Sequence, residues 1–204
     1  MDTIRNWWRG FGFVLKIANW AISFGMWLTK DMTAKIYHGG NPAPVIPHYV
    51  ASASEIWLIV HNGDRAEADG LLRKESKVTR IIFPCPNHNL TVRQYAAAAG
   101  ETYEEAREKI SKRSKAAAYN GKIVRWTDDA VSQSMIFLNP EDHKSGLTLV
   151  DVYLPYMNTS PRPRLEVTAK NHEALFVELK QSFNAIFDRC HDQEELHKLN
   201  ESAH

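Results

Sequence analysis

The sequence predicts an α/β body, a mixed sheet flanked by helices, carried behind one N-terminal membrane-inserting helix. Three observations lead there: a nearly continuous apolar run at residues 10–28, a strand–helix–strand alternation between residues 55 and 84, and four β-favouring runs followed by an amphipathic helix that ends near Cys190. With 204 residues, 44% hydrophobic and 24% charged, the chain has material for one sizeable core plus an appendage.

The first element is the run GFGFVLKIANWAISFGMWL, about the 20 residues that a helix needs to cross the hydrocarbon core. Lys16, Asn19 and Ser23 interrupt it. Trp7, Trp8 and Trp27 lie at its ends, where amphipathic rings favour the headgroup region, while Trp20 falls mid-run. A cleaved signal peptide is the rival reading, but the following TKDMTAKIYHGG offers no good small-x-small site. At 100° per residue Arg5, Arg9, Gly12, Lys16, Asn19, Ser23 and Lys30 share one thin stripe, opposite Val14, Ala18, Ala21 and Gly25. An intramembrane lysine seeks water or a partner, so the stripe lines an oligomeric pore, lies in the interface as an anchor, or faces protein. Arg5 and Arg9 nearly balance Lys30 and Lys35, leaving the orientation open.

Residues 31–42 read as a linker, marked by Gly39-Gly40 and the proline-rich NPAPVIPH, with Asn41 as the cap of a short helix starting near Pro42. The body spans residues 43–191. EIWLIVH predicts a buried strand, Asp64 caps a helix to about Glu75, and VTRIIFP predicts a second strand parallel to the first. Helices follow at 91–99 and 102–119, the second with Glu105/Lys109 and Glu108/Lys112 at favourable spacing. KIVRWT, SQSMIFLN, LTLVDVYLPY and RLEVTA then predict four neighbouring strands. Asn171 caps a closing helix whose Leu175, Leu179, Phe183, Ile186 and Phe187 should pack on the sheet, and residues 192–204 form a polar tail.

The near-balance of 25 Lys+Arg against 24 Asp+Glu argues against a dedicated nucleic-acid binder. Two cysteines, Cys85 and Cys190, give no disulfide framework and suit a reducing compartment, which predicts a cytoplasmic body. The N-x-S/T matches at Asn89, Asn158 and Asn200 are the chance product of a short pattern.

The order IWLIVHNG, TRIIFPCPN, GKIVRWTDDAVSQSMIFLNPED, LTLVDVYLPY, RPRLEVTAKN and ALFVELKQSFNAIF resembles a phospholipase-D-like half domain over residues 36–190. The resemblance implies a sheet covered by helices on both faces and a catalytic His-x-Lys on a late strand. That motif is missing here. None of the nine histidines has lysine two positions on, and the corresponding strand reads SQSMIFLNPED, with Ser132, Ser134 and Glu141 in the neighbourhood. The resemblance therefore implies a member without catalytic residues, serving as a sensor or regulatory module.

Parallel α/β sheets place ligands at the carboxyl ends of their strands, so His61, Asp64, Cys85 and His88 form the candidate pocket, with His61 as a base and Cys85 as a nucleophile in its reactive version. Turn and capping roles for Asn62, Asp64 and Asn87 explain the same residues more simply. No catalytic residue is assigned. Cys85-x-x-His88 and Cys190-His191 lie too far apart in sequence for a finger-type metal site, and Asp128-Asp129 reads as a polar turn. No metal and no cofactor are expected. Lys109, Lys112, Arg113 and Lys115 form one basic cluster and Arg73, Lys74, Lys77 and Arg80 another; both read as solvated faces, although a phosphate backbone or an anionic headgroup could dock there.

A membrane-inserting helix fused to a catalytically empty phospholipase-D-like domain resembles membrane-disrupting bacterial effectors of anti-phage defence or toxin–antitoxin systems, which implies a helix that acts on the inner membrane. The chain's expected partners are membrane lipid, a regulatory protein or ribonucleoprotein, and further copies of itself through the N-terminal helix. A membrane-anchored phosphodiesterase or nuclease with an atypical site, and a non-toxic anchored interaction module, are the alternatives.

Overall fold

The computed structural model describes residues 35–37, 46–61, 63–129, 133–152 and 164–196. The expected membrane helix, with Trp7, Trp8, Lys16, Asn19, Trp20, Ser23 and Trp27, lies outside them. Among the described residues no helix is long and apolar enough to cross a membrane.

Seven strands form one mixed sheet: β1 (Lys35–Tyr37), β2 (Ile56–Ile59), β3 (Val78–Pro84), β4 (Ile123–Thr127), β5 (Gln133–Leu138), β6 (Leu147–Val152) and β7 (Arg164–Thr168). Their order is β1-β7-β6-β5-β2-β3-β4. β2, β3 and β4 run parallel, while β5, β6, β7 and β1 continue antiparallel from the other side of β2. The predicted parallel pair is thus β2 and β3. The late strands are not all neighbours as expected: β4 pairs with β3 at one edge, and β5 turns back to pair with β2. β1, in the segment read as linker, closes the opposite edge on β7.

Alternation along the strands sends two apolar sets to the two faces. On one face Trp57, Phe137 and Phe183 meet, with ring centroids 5.1 Å apart for Trp57–Phe183 and 5.4 Å for Phe137–Phe183. Phe183 belongs to α5 (Glu173–Arg189), which buries Leu175, Phe176, Phe183 and Phe187. Leu179 and Ile186 are only half-buried, while Phe176, which the sequence reading did not name, is fully buried. On the other face Ile56, Leu58, Ile81, Phe83, Val124 and Trp126 form a second core. It is covered by α1 (Ile46–Ser52), α2 (Asp64–Ala68) and the end of α4 (Tyr103–Tyr119), through Tyr49, Ala66 and Ala117.

Local chemistry sets the helix limits. α4 starts at a capping box: the Glu105 N–H donates to Thr102 Oγ1 at 3.3 Å, and the Thr102 N–H donates to Glu105 Oε2 at 2.9 Å. It buries Ala106, Ile110, Ser114 and Ala117, one stripe at helical spacing. α2 ends seven residues earlier than the expected limit at Glu75, because the chain turns at Asp69 and Gly70, where Gly70 takes φ 72°. Its cap is Gly63 at φ 79°, not Asp64. α3 (Asn89–Ala99) starts after His88, and α5 starts after His172 instead of Asn171; neither cap uses a side chain.

Candidate functional site at the carboxyl ends of the parallel strands

Because β2, β3 and β4 are parallel and β5 and β7 run against them, β2–β4 end where β5 and β7 begin and β6 ends. His61, Cys85, Asp128, Ser134, Asp151 and Arg164 therefore line one end of the sheet. This is the end at which open α/β sheets hold ligands.

On the parallel side, His61 is half-buried and its ring meets Tyr95 edge-on at 4.5 Å. Asp64 forms an ion pair with Arg113, whose Nε also holds Glu67 at 2.7 Å. That arrangement ties α2 to α4 and gives Asp64 a structural duty. Cys85 is 1% exposed and its N–H donates to Thr127 O at 2.8 Å. Burial, aided by the Asp128 carboxylate, pushes its thiol up to about 11. A thiol so placed stays protonated at neutral pH, which disfavours Cys85 as a nucleophile.

His88 sits in a short relay. Its Nδ1 lies 2.6 Å from Thr91 Oγ1, and that hydroxyl donates to Asp128 O at 2.8 Å. Since the hydroxyl proton is committed to the carbonyl, Nδ1 carries the proton in neutral His88 and Nε2 presents a lone pair. Asp128 also accepts from His191 Nε2 at 2.9 Å, and the backbones of Trp126 and His191 exchange hydrogen bonds of 3.0 and 2.8 Å. Cys190 hydrogen-bonds Thr127, and burial pushes its thiol up to about 11 as well. The pairs Cys85/His88 and Cys190/His191, read as distant in sequence, thus share the end of β4. Among the described residues no group of three His, Cys, Asp or Glu side chains is arranged to hold a metal.

On the antiparallel side the sequence reading missed the main feature. Ser134, Asp151 and Arg164 are in register on β5, β6 and β7. Arg164, 6% exposed, forks onto Asp151 with Nε–Oδ1 of 2.5 Å and Nη2–Oδ2 of 2.7 Å. Glu166 is buried on the same face, where it and burial both raise the Tyr49 phenol, burial more. The signal was there as period-two charges inside apolar strands, Asp151 in LTLVDV and Arg164-x-Glu166 in RLEVT. Ser134 is half-buried at this end, Ser132 and Asn62 lie outside the described residues, and Glu141 stands beyond the other end of β5 in an ion pair with Lys180 at 3.0 Å. Ser134 and Glu141, read as standing where the catalytic pair would be, thus lie at opposite ends of β5.

In chemical terms, this end offers a histidine lone pair, a hydroxyl relay and a paired arginine, with no activated nucleophile among the described residues.

No family model matches the chain, and no curated protein matches it significantly. Among solved structures it is similar to TrmBL2, an archaeal chromatin protein described as showing a novel mode of DNA binding, at 15% identity and a TM-score of 0.46, over 93% of this chain and 67% of that one. It is also similar to Nuc from Salmonella typhimurium, a phospholipase D family member, at 10% identity and a TM-score of 0.43, over 78% of this chain and 97% of that one. Both are likenesses in the course of the chain, and neither assigns a role to a residue here.

Proposed function

We propose that the chain is a membrane-acting bacterial effector. Its α/β body is a phospholipase-D-like module without catalytic residues, held or released by a protein or ribonucleoprotein partner, and its N-terminal segment perturbs the inner membrane. The observation that carries the reading is β5. Where that family needs a histidine nucleophile and a lysine on one strand face, the strand starts Gln133-Ser134-Met135, with Met135 buried. Around it, Arg164 is already engaged by Asp151 and both thiols are held protonated. With no His-x-Lys in the sequence, this reading makes the apolar, striped N-terminal segment the acting part.

Membrane potential tests this in cells expressing the chain without its natural partner. The parent should depolarise the inner membrane, and Lys16→Leu should keep membrane association while losing depolarisation, because the substitution improves insertion by about 3 kcal/mol and dries a polar lumen. Depolarisation by the leucine variant equal to the parent's, or none by the parent, contradicts the pore and returns the stripe to an anchor or a protein-facing surface.

A further inference from the structure

The opposite end of the parallel strands carries a feature that the site above does not use. The segment after α2 runs through Arg73, Lys74 and Lys77, all exposed, before entering β3. The α4–β4 turn is stitched to it: Asn120 Nδ2 donates to Leu72 O at 2.8 Å, and Lys122 Nζ donates to Ser76 O at 2.8 Å and Lys74 O at 3.3 Å. Among the described residues only three large apolar or aromatic side chains are strongly exposed, and two are here, Tyr119 at 92% and Ile123 at 53%. Ile123 pairs with Arg80 across β3 and β4, and Lys115 is exposed one helical turn before Tyr119. Glu75 is the one exposed acid of the 73–77 segment.

Basic side chains alone are an ordinary solvated surface. Exposed cations at the same end of the sheet as an exposed tyrosine and isoleucine are different, since water does not reward the last two and an aqueous ion does not need them. An anionic bilayer suits both, with headgroup phosphates meeting the cations and the interfacial zone taking the amphipathic ring and the branched side chain. We infer that the surface formed by Arg73, Lys74, Lys77, Lys115, Tyr119 and Ile123 docks the body onto a bilayer carrying anionic phosphate headgroups. The inference rests on the membrane reading above and gives it a lipid preference. It also leaves the carboxyl-end site facing away from the lipid, open to a partner in solution.

The test uses the full chain and vesicles of phosphatidylcholine, alone or mixed with phosphatidylglycerol. The parent should bind the anionic vesicles at least about tenfold more tightly, and salt should erase that preference. Arg73→Glu/Lys77→Glu/Ile123→Ser should abolish it, whereas Arg107→Glu/Lys170→Glu, with the same charge change at exposed positions elsewhere, should keep it. Matching thermal melts confirm that both variants fold. Tight binding to both vesicle types, unaltered by the patch variant, overturns the docking surface while sparing the N-terminal segment. Binding to anionic vesicles alone, lost in the patch variant, supports the surface and counts against an inserting N-terminal helix. Equal losses in patch and control variants, or a patch effect on binding to a DNA duplex with none on vesicles, overturn the inference.

Discussion

The two ends of the parallel strands differ in how their polar groups are spent. At the carboxyl end, Asp64 is held by Arg113, Asp128 by His191, and Asp151 by Arg164, and two thiols are buried. At the amino end, Arg73, Lys74 and Lys77 point into solvent beside Tyr119 and Ile123. The polar groups that a sequence reader takes for chemistry are therefore largely consumed in holding strands and helices together. The residues read as an ordinary solvated face are the ones left available to a partner surface.

The comparison breaks most visibly if the carboxyl end is opened. Arg164 is nearly inaccessible and its fork on Asp151 links β6 to β7, so Asp151→Ala removes a bidentate carboxylate from a buried cation. A loss of about 3–5 kcal/mol in unfolding free energy is expected in urea titration. A loss below about 1 kcal/mol would show that the pair contributes no more than a surface bridge.

A smaller effect comes from the thiols. Cys85 and Cys190 are both raised from 9.0 to about 11 in the fold, so between those values the folded chain holds protons that the unfolded chain has released. Their contribution is complete below pH 9 and is lost as pH rises through about 11. Lys122 acts in the opposite sense, since burial lowers its ammonium, and its contribution grows as pH rises towards 10.5. The parent should lose stability across pH 9–11, and Cys85→Ala/Cys190→Ala should flatten that loss when thermal midpoints are compared along the same pH series. A parallel decline in both proteins would place the alkaline lability elsewhere.

Much of the architecture was legible because it is local. EIWLIVH and VTRIIFP are continuous apolar runs bounded by turn residues, and they form the parallel pair; Thr102 with Glu105 gives α4 its start. What failed depends on contacts distant in sequence. The insertion of β5 between β2 and β6 is decided by which face each strand buries, and the three residues of β1 have no pattern until β7 supplies their partner. The early end of α2 was written in Asp69-Gly70, a turn signal outweighed by the apolar Leu71 and Leu72, which instead enter the core from the loop. In the site, His61, Cys85 and His88 were placed by the end-of-strand rule, but His191 reaches Asp128 from 63 residues away. The Asp151–Arg164 fork requires knowing that β6 and β7 pair in that register.

The central claim is that this chain acts on membranes without cutting a phosphodiester, and one sample can read both halves of it. Vesicles loaded with a self-quenched dye and made with radiolabelled phosphatidylglycerol, incubated with the purified full chain, report leakage by fluorescence and hydrolysis by the released headgroup. The account predicts leakage with no headgroup release above the protein-free control, and the same absence of release for His88→Ala. Headgroup release that tracks protein concentration and disappears in His88→Ala would contradict it, because the lone pair on His88 Nε2 would then be serving as the base of a working active site.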